Sequence, residues 1–163
     1  MTEQMSVKIA ALPSLRLTVE AHGLMAKKAL GQNFLLDQNI TDKIINLSLQ
    51  KQNKKDFSGA NVFEVGPGPG GLTRAVLAAE PKSLTVVEMD ERCIAIMNEI
   101  KEKTGDIIHI INGDAMQTDF SVLAPAPRHI ISNLPYNISV PLLVGWLKNI
   151  NAYDSLTLMF QKE

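Results

Sequence analysis

Five short runs of β-branched and aliphatic residues, each separated from the next by a stretch long enough for a helix, constrain this chain more than any other feature. They are Asn61–Val65 (NVFEV), Ser83–Glu88 (SLTVVE), Ile107–Ile111, Arg128–Ser132 and Leu156–Phe160 (LTLMF). Runs this apolar belong to strands buried on both faces, and helix-length connections return the chain in parallel. The pattern predicts an α/β doubly wound sheet. Between the runs, residues 91–101 place Ile94, Met97 and Ile100 on one helical face, and helices are also predicted from the glycine-rich stretch to Ala79 and over 140–150. Upstream, Ile40, Ile44, Ile45 and Leu47 repeat at helical spacing after Asp37, a suitable N-cap, so a helix is predicted over 38–50. Residues 51–59 are polar and read as a loop, and there is no internal repeat. Residues 1–30 show no sustained period and are interrupted by Pro13 and Gly23, so they read as a flexible leader with at most a short helix, leaving 31–163 as the folded domain. The sequence stops three residues after the fifth run, which reads as a sheet truncated there, with its last strand an apolar edge prone to self-association.

The composition narrows the class. The chain has 163 residues, 45% hydrophobic and 20% charged, with net charge −1, enough for one globular domain with its own core. The longest uncharged run, 130–147, is broken by Asn133, Pro135, Asn137 and Pro141 and is no membrane span. No secretory signal precedes the first run. A single cysteine, Cys93, excludes an internal disulfide and agrees with a cytoplasmic setting. With only three histidines it also argues against a structural zinc site, so neither a metal nor a membrane partner is expected. Cys93 and Trp146 read as packing residues rather than chemical ones. Charge is uneven: residues 1–60 hold eight Lys/Arg against five Asp/Glu, whereas 61–163 hold eight against twelve. Lys27, Lys28, Lys51, Lys54 and Lys55 fit either a solvated surface or a face turned to a polyanion, and composition leaves both open.

The sharpest local signal is Glu64-Val-Gly66-Pro-Gly68-Pro-Gly70-Gly71, between a strand and a helix. Glycines there permit a tight turn and close approach of a ligand to the backbone, beside the free N–H groups of a helix start. Glu88 ends the next strand 22 residues after Gly66, where a carboxylate can accept from both hydroxyls of a ribose. Asp114 follows the third strand, where a carboxylate can accept from an adenine amino group. Two acids on successive strand ends share one crevice with the glycine turn, which points to an adenosine-containing ligand. NAD and S-adenosyl-L-methionine both contain one. The prolines at 67 and 69 remove N–H donors that a pyrophosphate would use, which favours S-adenosyl-L-methionine.

The fourth run ends in Ser132-Asn133-Leu134-Pro135-Tyr136. The Asn133 side-chain carbonyl and the Leu134 main-chain carbonyl, held by the following proline, offer two acceptors to one –NH2 group. Tyr136 offers a stacking face for a purine, worth about 1–3 kcal/mol per base in single-strand binders. Two acceptors orient a weakly nucleophilic amine toward a methyl donor, largely a positioning effect. The chemistry this suggests is methylation of an amino group on a base or an amide.

Taken together, Lys28-Ala-Leu-Gly31-Gln32-Asn33-Phe34-Leu35, EVGPGPGGLT, VVEMD, NGDAM, SNLPYNIS and LMFQKE resemble, in order, the ribosomal RNA adenine N6-dimethyltransferase family, most of all its bacterial small-subunit (16S) branch. The resemblance implies a Rossmann-like class I methyltransferase fold with S-adenosyl-L-methionine as cofactor. It further implies dimethylation of two adjacent adenosines near the 3′ end of 16S rRNA during small-subunit assembly. It assigns cofactor contacts to Asn33, Leu35, Gly66, Gly68, Glu88, Met89, Asp114, Ala115 and Asn133, with Met89 packing beside the adenine. Catalytic roles fall to Asn133, Leu134 and Tyr136, and stacking on the extruded base to Tyr136 and Phe160. Family members continue into a helical RNA-contacting domain that is absent from this sequence, so weakened RNA binding and activity are expected of it. Three other classes share parts of the pattern. A large-subunit rRNA methyltransferase of the macrolide-resistance type has most of the same motifs. A DNA or protein amide methyltransferase carries two prolines in the fourth-strand tetrad, where this chain has one. A non-enzymatic RNA-binding assembly factor could use the same fold.

Overall fold

A computed structural model describes residues 4–24 and 35–160. Its centre is a five-stranded parallel sheet made of β1 (Asn61–Val65), β2 (Ser83–Glu88), β3 (Ile108–Asn112), β4 (Arg128–Leu134) and β5 (Ser155–Phe160), in the order β3-β2-β1-β4-β5. All five predicted runs are strands, with bounds shifted by no more than two residues. Among the described residues the helices are α1 (Met5–Ala10), α2 (Leu15–Ala21), α3 (Gln38–Lys51), α4 (Gly71–Ala78), α5 (Glu91–Thr104) and α6 (Ser139–Lys148). Asp37 caps α3 as expected, its carboxylate accepting from the Asn39 N–H at 2.9 Å. No helix among the described residues is long and apolar enough to cross a membrane.

The two faces of the sheet are covered differently. On one face Val62, Leu84, Val86, Ile108 and Ile131 pack against residues of α2 through α5, including Val19, Ile45, Val76, Leu77, Ile96 and Met97. On the other, Phe63, Val65, Ile130 and Leu134 pack against Leu142 and Trp146 of α6 and against Phe120, which stacks on Phe63 at 4.7 Å. Between β3 and β4 this second face is crossed by residues 113–127, which form only two single-turn 3-10 helices, Ala115–Gln117 and Phe120–Val122.

One expectation changes. Residues 1–30 were expected to be a leader with at most a short helix; the described part instead forms α1 and α2. Leu15, Thr18 and Val19 are buried at i, i+3 and i+4, and Val19 and Leu24 join the core. Pro13 and Gly23, taken as interruptions, are boundary signals. Ser14, after the proline, caps α2 by accepting from Leu17 N–H, and Gly23 closes it at φ +67°. The Arg92 guanidinium of α5 donates to the Gly23 carbonyl at 3.1 Å and fixes that corner. As expected, β5 is an edge of the sheet. It pairs with β4 along its whole length, and α3 touches it through a 2.7 Å hydroxyl pair between Ser48 and Thr157.

Candidate active site

The crevice forms where strand order reverses, between β1 and its two neighbours. β1 pairs with β2 from Asn61 to Val65, but with β4 only from Asn61 to Phe63. Beyond that point the ladder is replaced by one side chain. The Ser132 hydroxyl donates to the Val65 carbonyl at 2.7 Å and accepts from the Val65 N–H at 3.2 Å, satisfying both groups while the strands part. Ligands of open α/β sheets bind at such a switch point, outside the carboxyl ends of the strands.

The glycine turn lies directly above it. Gly66, Gly68 and Gly70 have φ of +62°, +55° and +94°, which an L side chain adopts only with strain. At two of them an added Cβ would also press on a neighbour. A Cβ on Gly66 would lie 3.2 Å from Pro135 Cγ, and one on Gly70 would lie 2.8 Å from Ile100 Cδ1. The turn therefore packs against the Asn133–Tyr136 segment on one side and α5 on the other. At Gly71 a Cβ would collide with the Leu35 carbonyl, so the residue that resumes the described chain lies against the start of α4.

Glu88 ties the turn to the second strand. Its carboxylate accepts from the N–H groups of Gly68 (3.3 Å), Met89 (2.8 Å) and Asp90 (3.1 Å). The Gly113 N–H donates to the Glu88 carbonyl at 3.0 Å, so the end of β3 runs alongside. Asp114 next in line accepts from Met116 N–H and caps a 3-10 turn containing the buried Ala115. Met89 is 68% exposed at the rim. Asn133 is half-buried near the end of β4; Leu134 buries its side chain in the core, leaving only its main chain for the site. Tyr136 begins a 3-10 turn with its ring about half-exposed, and Phe160, equally exposed, ends β5 at the register position of Leu134. The structure thus gathers Leu35, Gly66, Gly68, Glu88, Met89, Asp114, Ala115, Asn133, Leu134, Tyr136 and Phe160 along one edge of the sheet. Asn33 lies outside the described residues.

Sequence reasoning gave no role to Glu64, which is 2% exposed beneath the glycine turn. Thr73 of α4 donates to its Oε1 at 2.6 Å. Burial pushes the Glu64 carboxyl up to about 8; the Thr73 hydroxyl opposes that rise and the nearby Glu88 adds to it. The available signal was an acid inside an otherwise apolar strand.

The residues present fit an adenosine-bearing cofactor. The turn at Gly66, Gly68 and Gly70 has φ that side chains adopt only with strain, the prolines at 67 and 69 offer no N–H to a pyrophosphate, and carboxylates stand at the ends of two adjacent strands.

A family model described as "Ribosomal RNA adenine dimethylase" matches residues 23–163. The ribosomal RNA small subunit methyltransferase A of Gluconobacter oxydans is 50% identical over 153 residues, covering 94% of this chain and 48% of that protein. The chain spans about half the length of the curated relatives it matches. A crystal structure of a dimethyladenosine transferase from Plasmodium falciparum aligns with TM-score 0.63 and 28% identity over 80% of this chain and 44% of that one. That of the 23S rRNA methyltransferase ErmE aligns with TM-score 0.60 and 25% identity over 77% of this chain and 47% of that one.

Proposed function

This chain belongs to the ribosomal RNA adenine dimethylase family, and from that premise we propose that it carries the cofactor and catalytic portion of an enzyme that dimethylates adenosines of 16S rRNA at N6. One observation carries the reading: the Gly66 turn packs on Pro135, so the cradle between the Glu88 and Asp114 strand ends adjoins the Asn133–Tyr136 segment. The 50% identity to a small-subunit enzyme, against 25% to a 23S rRNA enzyme, favours the small-subunit substrate over the large. On this reading the work belongs to small-subunit assembly, a cytoplasmic process.

Bound S-adenosyl-L-methionine would supply an electrophilic methyl group. Glu88 accepts from the ribose hydroxyls in place of, or beside, its present N–H partner at Gly68. Asp114 accepts from the adenine amine and, with Met89 and Ala115, borders the ring. Leu35 lies before α3 against the start of α4, and the family resemblance assigns Asn33 a cofactor contact. On the substrate side, Asn133 and the Leu134 carbonyl accept from the N6 amine and aim its lone pair, while Tyr136 stacks on the extruded base and Phe160 borders the same pocket. No strong base is required, because the amine proton is lost after nitrogen becomes cationic. Glu64, held protonated by burial, stays neutral under the turn and adds no second negative charge beside Glu88.

The test is to incubate the chain, alone and extended by the C-terminal half its relatives carry, with S-adenosyl-L-methionine and unmethylated small subunits. Methyl groups on adenine N6 of 16S rRNA are the expected product. Cofactor binding without any rRNA methylation by the extended form would overturn the enzyme reading and leave a non-catalytic assembly factor.

A further inference from the structure

Along one face of β2 and β3, reaching from their amino ends to Ile111, lies a groove that none of the chemistry above uses. It has a volume of about 490 Å³ and is lined by Asn61, Lys82, Ser83, Thr85, His109 and Ile111 on the strand side, with Leu123, Ala124 and Pro125 opposite. Its origin is topological. The β3–β4 connection forms two single 3-10 turns rather than a helix, so β2 and β3 are faced there by the loop at residues 123–125 with a groove between. His109 is accordingly exposed within a strand otherwise made of isoleucine and asparagine.

The walls are preformed. Asn61, 3% exposed, donates through Nδ2 to the Pro125 carbonyl at 2.7 Å and accepts the Ser83 hydroxyl at 2.6 Å, locking the crossing segment to the strands. Thr85 is 5% exposed and lines the groove, and its hydroxyl makes no hydrogen bond to another described residue. A hydroxyl on a groove wall can both donate to and accept from the edge of a base. The lining carries the Lys82 ammonium and the His109 imidazole but no carboxylate. Ile111, Leu123 and Pro125 supply an apolar wall for a flat ring. The volume falls in the range of small-molecule sites, roughly 300–1,000 Å³.

We propose that this groove is a second, non-catalytic subsite for one nucleotide of a single-stranded RNA segment. The base lies against Ile111, Leu123 and Pro125 with an edge on the Thr85 hydroxyl, and the phosphate meets Lys82 and His109. The RNA source rests on the rRNA-methylation reading; the chemistry recognised is that of any nucleoside phosphate. The site steadies substrate RNA outside the crevice that holds the methylated base.

The test follows backbone amide resonances of the chain saturated with S-adenosyl-homocysteine during titration with a single-stranded pentaribonucleotide and, separately, with AMP. The pentanucleotide is expected to move Thr85, His109 and Ile111. Lys82→Ala is expected to weaken it about 5–10-fold, the loss of one charge-assisted contact, and Thr85→Val by less. Both variants leave the crevice residues intact. The inference is overturned if those three resonances stay still, if both variants bind as tightly as the parent, or if AMP moves them and the pentanucleotide does not. Failure of the cofactor reading is separately visible, as Glu88 and Asp114 resonances unmoved by S-adenosyl-homocysteine.

Discussion

The central strand has two neighbours and treats them differently. Along β2 it keeps five paired positions to the end of the strand; along β4 it keeps three and then hands over to the Ser132 hydroxyl. The first interface is a wall and the second is an opening. A parallel sheet becomes a binding crevice here through one serine that satisfies two main-chain groups while allowing the strands to separate. The buried acid of β1 lies in the same stretch, at Glu64, past the last β4 pair.

The first test asks whether that stretch carries the unusual electrostatics. Glu64 binds its proton more tightly folded, at about 8, than unfolded, near 4.5, so its contribution is complete below 4.5 and is lost as pH rises toward 8. The buried His129 acts in the other direction: burial and Lys54 lower its affinity for a proton, so its contribution is lost only as pH falls below about 6.5. Urea unfolding at pH 7 and pH 8 therefore isolates Glu64. Stability should fall over that interval, and Glu64→Gln should flatten the change and be more stable at pH 8. An unchanged pH slope in the variant would place the source elsewhere.

Removing the hinge itself comes next. Ser132→Ala leaves a buried N–H and a buried carbonyl of Val65 unpaired, at a cost of about 2–3 kcal/mol. The loss should appear in the denaturation midpoint, together with weaker cofactor binding. A variant as stable as the parent would mean that the strands re-pair and the opening is not built by the serine.

On the wall side, Glu88→Ala tests the end of β2. Loss of the bidentate ribose contact should weaken S-adenosyl-L-methionine binding by about 1.5–3 kcal/mol, tenfold or more, in calorimetry. NAD binding tighter than S-adenosyl-L-methionine would reject the cofactor class. On the open side, Tyr136→Ala should remove stacking worth about 1–3 kcal/mol toward the RNA base. Tyr136→Phe should retain it, and neither should change cofactor affinity. Methylation by the chain extended with its relatives' C-terminal half measures this; equal losses in both variants would assign the effect to the hydroxyl instead of the ring.

Much of the architecture was legible because it is local. Apolar runs such as SLTVVE and NVFEV specify buried parallel strands by composition, and the glycine turn, Glu88, Asp114 and Asn133 fall at strand ends by counting. What could be missed locally was missed: α2 was hidden because Pro13 and Gly23 were weighed as breakers, although the buried i, i+3, i+4 set between them marks a helix with its boundaries. Glu64 was passed over because its meaning depends on Thr73, nine residues away and on another element.

The sequence by itself determined the strands, their parallel sense and which groups stand at their ends, since side-chain period and turn chemistry act within a few residues. Only the tertiary structure decided that β1 parts from β4 after Phe63, that Gly66 has Pro135 against it, and that Thr85 and Asn61 face a groove. Those facts depend on contacts between residues 60 or more positions apart, or on a helix that the β3–β4 crossing does not form. No pattern within a single segment encodes either.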